Sequence, residues 1–150
     1  MSKKFKWHTR GRRRQLKTTP FSLMGQLAEA RFFRIVEARA ARLPPEIKKV
    51  EQSNYEMDRT GGVDVIVEMA GGIKLYVDLK STLNSLGYCG LSTLSLPFLV
   101  LAADSDDAVF EKFVAFALAE HAKIVARREA YQRELIAAQR PAMTSLAPAE

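Results

Sequence analysis

The chain alternates between stretches of helical spacing and stretches of period two. Thr19-Pro20 opens the first helical stretch, with a threonine fit to cap and a proline fit for the first turn. The pattern predicts a helix from there to about Leu43, where Pro44-Pro45 stops it. Residues 46–57 alternate loosely and predict a first strand, followed by a turn at Asp58–Gly62. Val63–Met69 and Ile73–Leu79 are rich in Val, Ile and Tyr and predict two strands joined by Ala70-Gly71-Gly72. Residues 83–96 hold two glycines and little periodicity, the pattern of a loop or a poor short helix. Phe98–Ala102 is a candidate buried strand. Asp104–Arg140 predicts a long helix capped by Asp104 or Ser105, and 141–150 an Ala/Pro tail. Together these elements predict one mixed α/β domain over residues 18–140, preceded by an arm at 1–17.

The two central strands raise a question of register. Residues two apart on a strand share a face. Val63, Val65, Val67 and Met69 therefore line one face of their strand, and Asp64, Ile66 and Glu68 the other. On the next strand Ile73, Leu75, Val77 and Leu79 oppose Lys74, Tyr76, Asp78 and Lys80. A two-residue Gly-Gly loop would pair Glu68 with Leu75 and Asp64 with Leu79, mixing the faces. A three-residue loop with a left-handed glycine pairs Met69 with Ile73, Val67 with Leu75 and Val65 with Val77. It also sets Glu68 opposite Lys74, and Asp64 directly across from Asp78. Like charges facing each other on a sheet are destabilising. A register that ends in two opposed carboxylates calls for a cation, and a hard divalent ion such as Mg2+ (or Mn2+) accepts one or two carboxylates together with phosphate and water. Lys80, on the same face, would then orient an attacking water or stabilise charge on phosphorus.

Composition bounds the rest. A chain of 150 residues with 47% hydrophobic and 27% charged content is that of a soluble globular domain. No run of eighteen apolar residues exists to span a membrane, and no apolar stretch follows the N-terminal charges as in a secretory signal. The single cysteine, Cys89, rules out an internal disulfide and suits a cytoplasmic setting. With His8 and His121 far apart, no zinc-type spacing arises, so a metal would be held by oxygens. The net charge of +6 is uneven: residues 1–17 carry Lys3, Lys4, Lys6, Arg10, Arg12, Arg13, Arg14 and Lys17 with no acid, and the remainder has fifteen basic against seventeen acidic residues. Trp7 and Phe5 lie among these charges, a mixture suited to phosphate contact and base stacking. A solvated tail, or an arm for RNA or an acidic membrane surface, are the other readings of this segment.

At this point the segment "GGVDVIVEMAGGIKLYVDLKST" resembles the core of the PD-(D/E)XK, or restriction-endonuclease-like, phosphodiesterase superfamily, whose pattern is an aspartate on one strand and D/E-x-K closing the next. Asp64 matches the first element and Asp78-Leu79-Lys80 the second. The "VDLKST" ending is similar to that of Holliday-junction-resolvase-type and phage or bacterial nuclease-like proteins. The resemblance implies a mixed sheet flanked by helices, and a Mg2+- or Mn2+-dependent nuclease with DNA ahead of RNA as substrate. It also implies Asp64, Asp78 and the Leu79 carbonyl as metal ligands, and Lys80 as the residue serving the nucleophilic water. The family's preceding helix often supplies a glutamate, and "GQLAEARFF" offers Glu29 as catalytic and metal-binding. Glu29 shares a helical stripe with Gly25, Phe32, Phe33 and Val36, an expensive place for an acid without a partner. Gly25 on that stripe suggests close helix approach. The usual proline before the first aspartate is Val63 here, and the helix expected after the D-x-K strand falls on 83–96.

Two rival functions stand beside the nuclease: a catalytically silent nucleic-acid-binding module, and a subunit that depends on a partner docked, as a homodimer or with another protein, on the long C-terminal helix. Phe110, Phe113, Val114 and Phe116–Leu118 are expected in the core or in such a seam. His121 is expected to face solvent, Asp58 to cap its turn, Cys89 to be a small buried hydrophobe, and Ser81 and Thr82 to end the strand or touch a phosphate.

Overall fold

The computed structural model describes residues 20–54, 62–82 and 95–144. The arm at 1–17, the Thr19 cap, Asp58, Cys89 and the 83–94 connection lie outside the described residues. The element order is helix α1 (Pro20–Ala38), a 3-10 turn (Ala40–Arg42), strands β1 (Ile47–Gln52), β2 (Val65–Met69), β3 (Lys74–Lys80) and β4 (Leu96–Leu99), and helix α2 (Asp106–Thr144). Helix α1 ends five residues short of the predicted Leu43, because the chain tightens into the 3-10 turn before Leu43 turns extended ahead of the two prolines. Helix α2 begins beyond Ser105, whose hydroxyl accepts the Ala108 amide at 3.1 Å and whose carbonyl accepts Val109 at 3.0 Å. It continues past Arg140 to Thr144.

The sheet runs β1-β2-β3-β4, antiparallel across the first two pairings and parallel between β3 and β4. Its centre is the hairpin. Gly71 and Gly72 adopt positive φ (78° and 70°) in a three-residue turn closed by the Met69 amide on the Ile73 carbonyl at 2.7 Å. Val67 then faces Leu75, Val65 faces Val77 and Glu68 faces Lys74. This is the register demanded by keeping the apolar rows together. β4 starts at Leu96, earlier than the predicted Phe98, with Pro97 beside Asp78 on the outer strand, where the missing amide costs no ladder bond inside the sheet.

Both helices pack on one side of this sheet. Phe32, Ile35 and Val36 of α1 and Val109, Phe110, Phe113 and Ala117 of α2 close over the apolar row from β2 and β3. Phe32, Phe98 and Phe113 meet edge to face, with centroids 4.9 to 6.1 Å apart. Arg31 ties the layer together. Its guanidinium donates to Asp106 Oδ1 at 2.9 and 3.0 Å and to the carbonyls of Leu101 and Asp104. Arg39 and Arg42 both reach Asp107, and these acids lie in the first turn of α2, where negative charge suits the helix dipole.

Candidate functional site

The open end of the hairpin, away from the glycine turn, is where charge collects. Just ahead of β2 the Asp64 amide donates to the Val77 carbonyl at 2.9 Å, and the Asp64 carbonyl accepts the Ser53 amide at 2.9 Å. The Ser53 hydroxyl donates to the Val63 carbonyl. These bonds fix the Asp64 backbone between β1 and β3. The paired register ends at Val65 with Val77, and the Asp64 amide on the Val77 carbonyl is one residue off it, so Asp64 comes beside Asp78 at an irregular step at the end of the ladder. Asp64 Oδ2 accepts the Leu79 amide at 2.8 Å, and the Asp78 carboxyl is close enough to act on it. Gly62, with φ of 62°, takes a backbone conformation that disfavours side chains here; the added Cβ itself would sit 3.7 Å from Asp78 Oδ2, an ordinary contact.

Lys80 Nζ lies 2.8 Å from Asp78 Oδ2, with both side chains largely buried (19% and 13% exposed). Glu29 approaches from α1. Its Oε1 accepts Gln52 Nε2 at 2.9 Å, and its charge acts on Asp64. Asp64, Asp78, Lys80 and Glu29, all marked out in the sequence, are thus neighbours. Gln52 joins them without any motif to announce it. It is opposite Val65 at the end of β1, on the helix-facing side where Val50 packs on Val67. The signal for it is a polar residue where the period of that strand calls for an apolar one.

The electrostatics follow from this crowding. Burial pushes the Asp64 carboxyl up from 3.8 to about 8; the Leu79 amide opposes the shift, while the negative charges of Glu29 and Asp78 add to it. Without further positive charge, the Asp64 carboxyl therefore favours its protonated form at neutral pH. Among the described residues no three His, Cys, Asp or Glu side chains are arranged to hold a metal ion. The donors at this spot are two facing carboxylates, and Glu29 is engaged with Gln52.

Two expectations are corrected. A Cβ on Gly25 would meet nothing within 4 Å, so this glycine does not serve a close helix approach. His121 does not simply face solvent: its Nε2 is 2.9 Å from the Ala70 carbonyl, which ties α2 to the hairpin turn. Ser81 and Thr82 are half-buried at the end of β3. Compared with known protein families, curated proteins and solved structures, the chain matches none.

Proposed function

We propose that the hairpin is the catalytic centre of a restriction-endonuclease-like, PD-(D/E)XK-type nuclease that hydrolyses phosphodiester bonds, DNA ahead of RNA, with Mg2+ or Mn2+. The observation that carries the reading is the buried pair Asp64 and Asp78 with Lys80 against it. A carboxyl driven to about 8 by burial and neighbouring carboxylates marks a site short of positive charge. Its donors are all oxygen, which fits a hard divalent ion, and Mg2+ takes one or two protein carboxylates alongside water and phosphate. Asp64 and Asp78 would hold the ion, with the Leu79 carbonyl as a further ligand and Glu29 assisting. When bound, such an ion supplies Lewis-acid stabilisation of the charge that develops on the phosphoryl oxygens. Lys80 is held by Asp78 at the same face, where its ammonium would orient the attacking water and offset charge on phosphorus. Gln52, bonded to the Glu29 carboxylate, would hold it in place near Asp64. The basic arm at 1–17 would add affinity for the sugar-phosphate backbone without reading sequence.

One observation favours the silent binding module instead. Lys80 is closed onto Asp78 in an ion pair, and a lysine so engaged must reorient before it serves a water. Incubation of the chain and of Lys80→Ala with supercoiled plasmid, branched DNA and RNA, in Mg2+, Mn2+ or EDTA, separates the readings. Cleavage that needs the ion and is lost in Lys80→Ala is the expected result. Retarded but intact nucleic acid would establish the silent module, and neither binding nor cleavage would overturn both.

A further inference from the structure

Helix α2 outruns the domain that it closes. Its 39 residues span about 58 Å at about 1.5 Å per residue, whereas β3 has seven residues and reaches about 23 Å. Val109, Phe110, Phe113 and Ala117 are buried on the sheet, and Ile124 and Val125 are partly covered. From Ala126 to Arg140 every residue except Ala130 is exposed. Apolar residues nevertheless resume on the buried stripe beyond the sheet, interrupted by Arg128. Tyr131 follows Ile124 by seven and Leu135 follows by four more, and Tyr131, Leu135 and Ile136 are 62%, 44% and 58% exposed. Where the helix leaves the hairpin turn, a shallow, open, mainly apolar depression of about 330 Å³ lies between Ile73, His121 and Val125, rimmed by Gly71, Arg128 and Glu129.

We propose that this overhang is the seam of a two-fold dimer in which the distal halves of two α2 helices lie antiparallel. The charges argue for a second copy as the occupant. In heptad terms Ile124, Tyr131 and Ala138 take one core position, and Arg128 and Leu135 the other, while His121, next in that row, is held on the Ala70 carbonyl and bounds the seam. An antiparallel pair centred between Glu129 and Ala130 sets Leu135 on Ile124 of the second copy and stacks Tyr131 against its Arg128. Arg127 and Glu134 flank the seam two turns apart, about 10 Å along the axis, too far to meet within one helix. In the antiparallel pair each meets the other across the interface, twice by symmetry. Ile136 then falls toward the depression beside Val125 of the second copy. A parallel pair would oppose Arg128 to Arg128 and leave Arg127 without an acid.

Segments of the same chain fit less well. The arm at 1–17 is wholly cationic, and the overhang already carries Arg127, Arg128, Arg133 and Arg140. The 83–94 connection leaves β3 at the end remote from the depression, after Lys80.

The test is the mass of the full chain by sedimentation equilibrium over a wide concentration range. A monomer–dimer equilibrium is expected. Leu135→Glu, at an exposed position, should give a monomer with the same fold by circular dichroism. Glu134→Arg should weaken dimerisation by roughly tenfold, since two attractions become repulsions, and the swap Arg127→Glu with Glu134→Arg should restore it. A monomer at every concentration overturns the proposal and leaves another protein as the occupant. A dimer indifferent to Leu135→Glu overturns the seam, and one indifferent to Glu134→Arg overturns its antiparallel register.

Discussion

Replacing Asp64 by asparagine tests the carboxylate pair without touching its geometry. Asparagine keeps an oxygen to accept the Leu79 amide now bonded at 2.8 Å, and adds an NH2 that can donate to Asp78. What it removes is ionisation. In the native chain Asp64 titrates near 8, and in the unfolded chain near 3.8. A raised carboxyl contributes stability that is fully present below about 3.8, is lost progressively as pH rises to about 8, and is flat above that. At about 1.4 kcal/mol per pH unit, the stretch from pH 5 to 8 is about 4 kcal/mol. Asp64 retains contact with water, which screens the charge, and about 2 kcal/mol is the working figure.

The assay is urea unfolding of both proteins at a series of pH values from 5 to 9 in EDTA. The parent should lose about 2 kcal/mol relative to Asp64→Asn between pH 5 and 8, and the two curves should run parallel above that. Mg2+ at pH 8 should raise the melting temperature of the parent and leave Asp64→Asn nearly unmoved, because only the parent can present two ionised carboxylates, with Lys80 against one of them, for the ion to offset. Parallel curves from pH 5 to 9 would refute the argument, by showing that Asp64 ionises as freely in the fold as out of it. A variant less stable at every pH would show instead that the aspartate is a structural acceptor.

Deleting residues 1–17 should lower affinity for nucleic acid and make the dependence of log affinity on log salt shallower, by up to about 0.9 for each phosphate that the arm no longer neutralises. Filter binding at several salt concentrations measures the slope, and an unchanged slope would make the arm a solubility tail. Arg31→Ala should cost about 2–3 kcal/mol in urea unfolding, because it strands the Leu101 and Asp104 carbonyls and the Asp106 carboxylate together. A destabilisation below about 0.5 kcal/mol would show that water replaces the guanidinium there.

The hairpin was legible because two independent constraints agreed. Period-two alternation demanded that the rows Val65, Val67, Met69 and Ile73, Leu75, Val77 share a face, and Gly71-Gly72 supplied the backbone able to take positive φ between them. Element ends were less legible. The stop of α1 at Ala38 lies ahead of the prolines that mark it, since a 3-10 turn of ordinary residues, Ala40–Arg42, carries no letter of its own. The tie from His121 to Ala70, and the clamp of Arg31 on the start of α2, join residues 51 and 75 apart. Such pairings depend on how layers dock, and no local pattern announces them.

The candidate site divides in the same way. Asp64 and Asp78 could be brought to one end of the hairpin from its apolar rows, although the paired register stops at Val65 and Asp64 sits one step off it, and Lys80 follows from Asp78 by alternation. Glu29 needed the packing of α1, and only the stripe of Phe32 and Val36 hinted that it faced inward. Gln52 stands on a third element, and its bond to Glu29 exists because β1 pairs with β2 so that Gln52 meets Val65 beneath the helix. The sequence signal was therefore strongest where a local rule is broken. Two like charges opposed across a hairpin conflict with the pairing that every apolar residue around them enforces. Burial amplifies that conflict, since the same desolvation that lifts Asp64 to about 8 strengthens the repulsion between the two carboxylates once both are ionised. The repulsion within the ionised pair and its proposed affinity for a cation would arise from the same two charges, which is why the pH dependence of unfolding in EDTA bears directly on the proposed metal site.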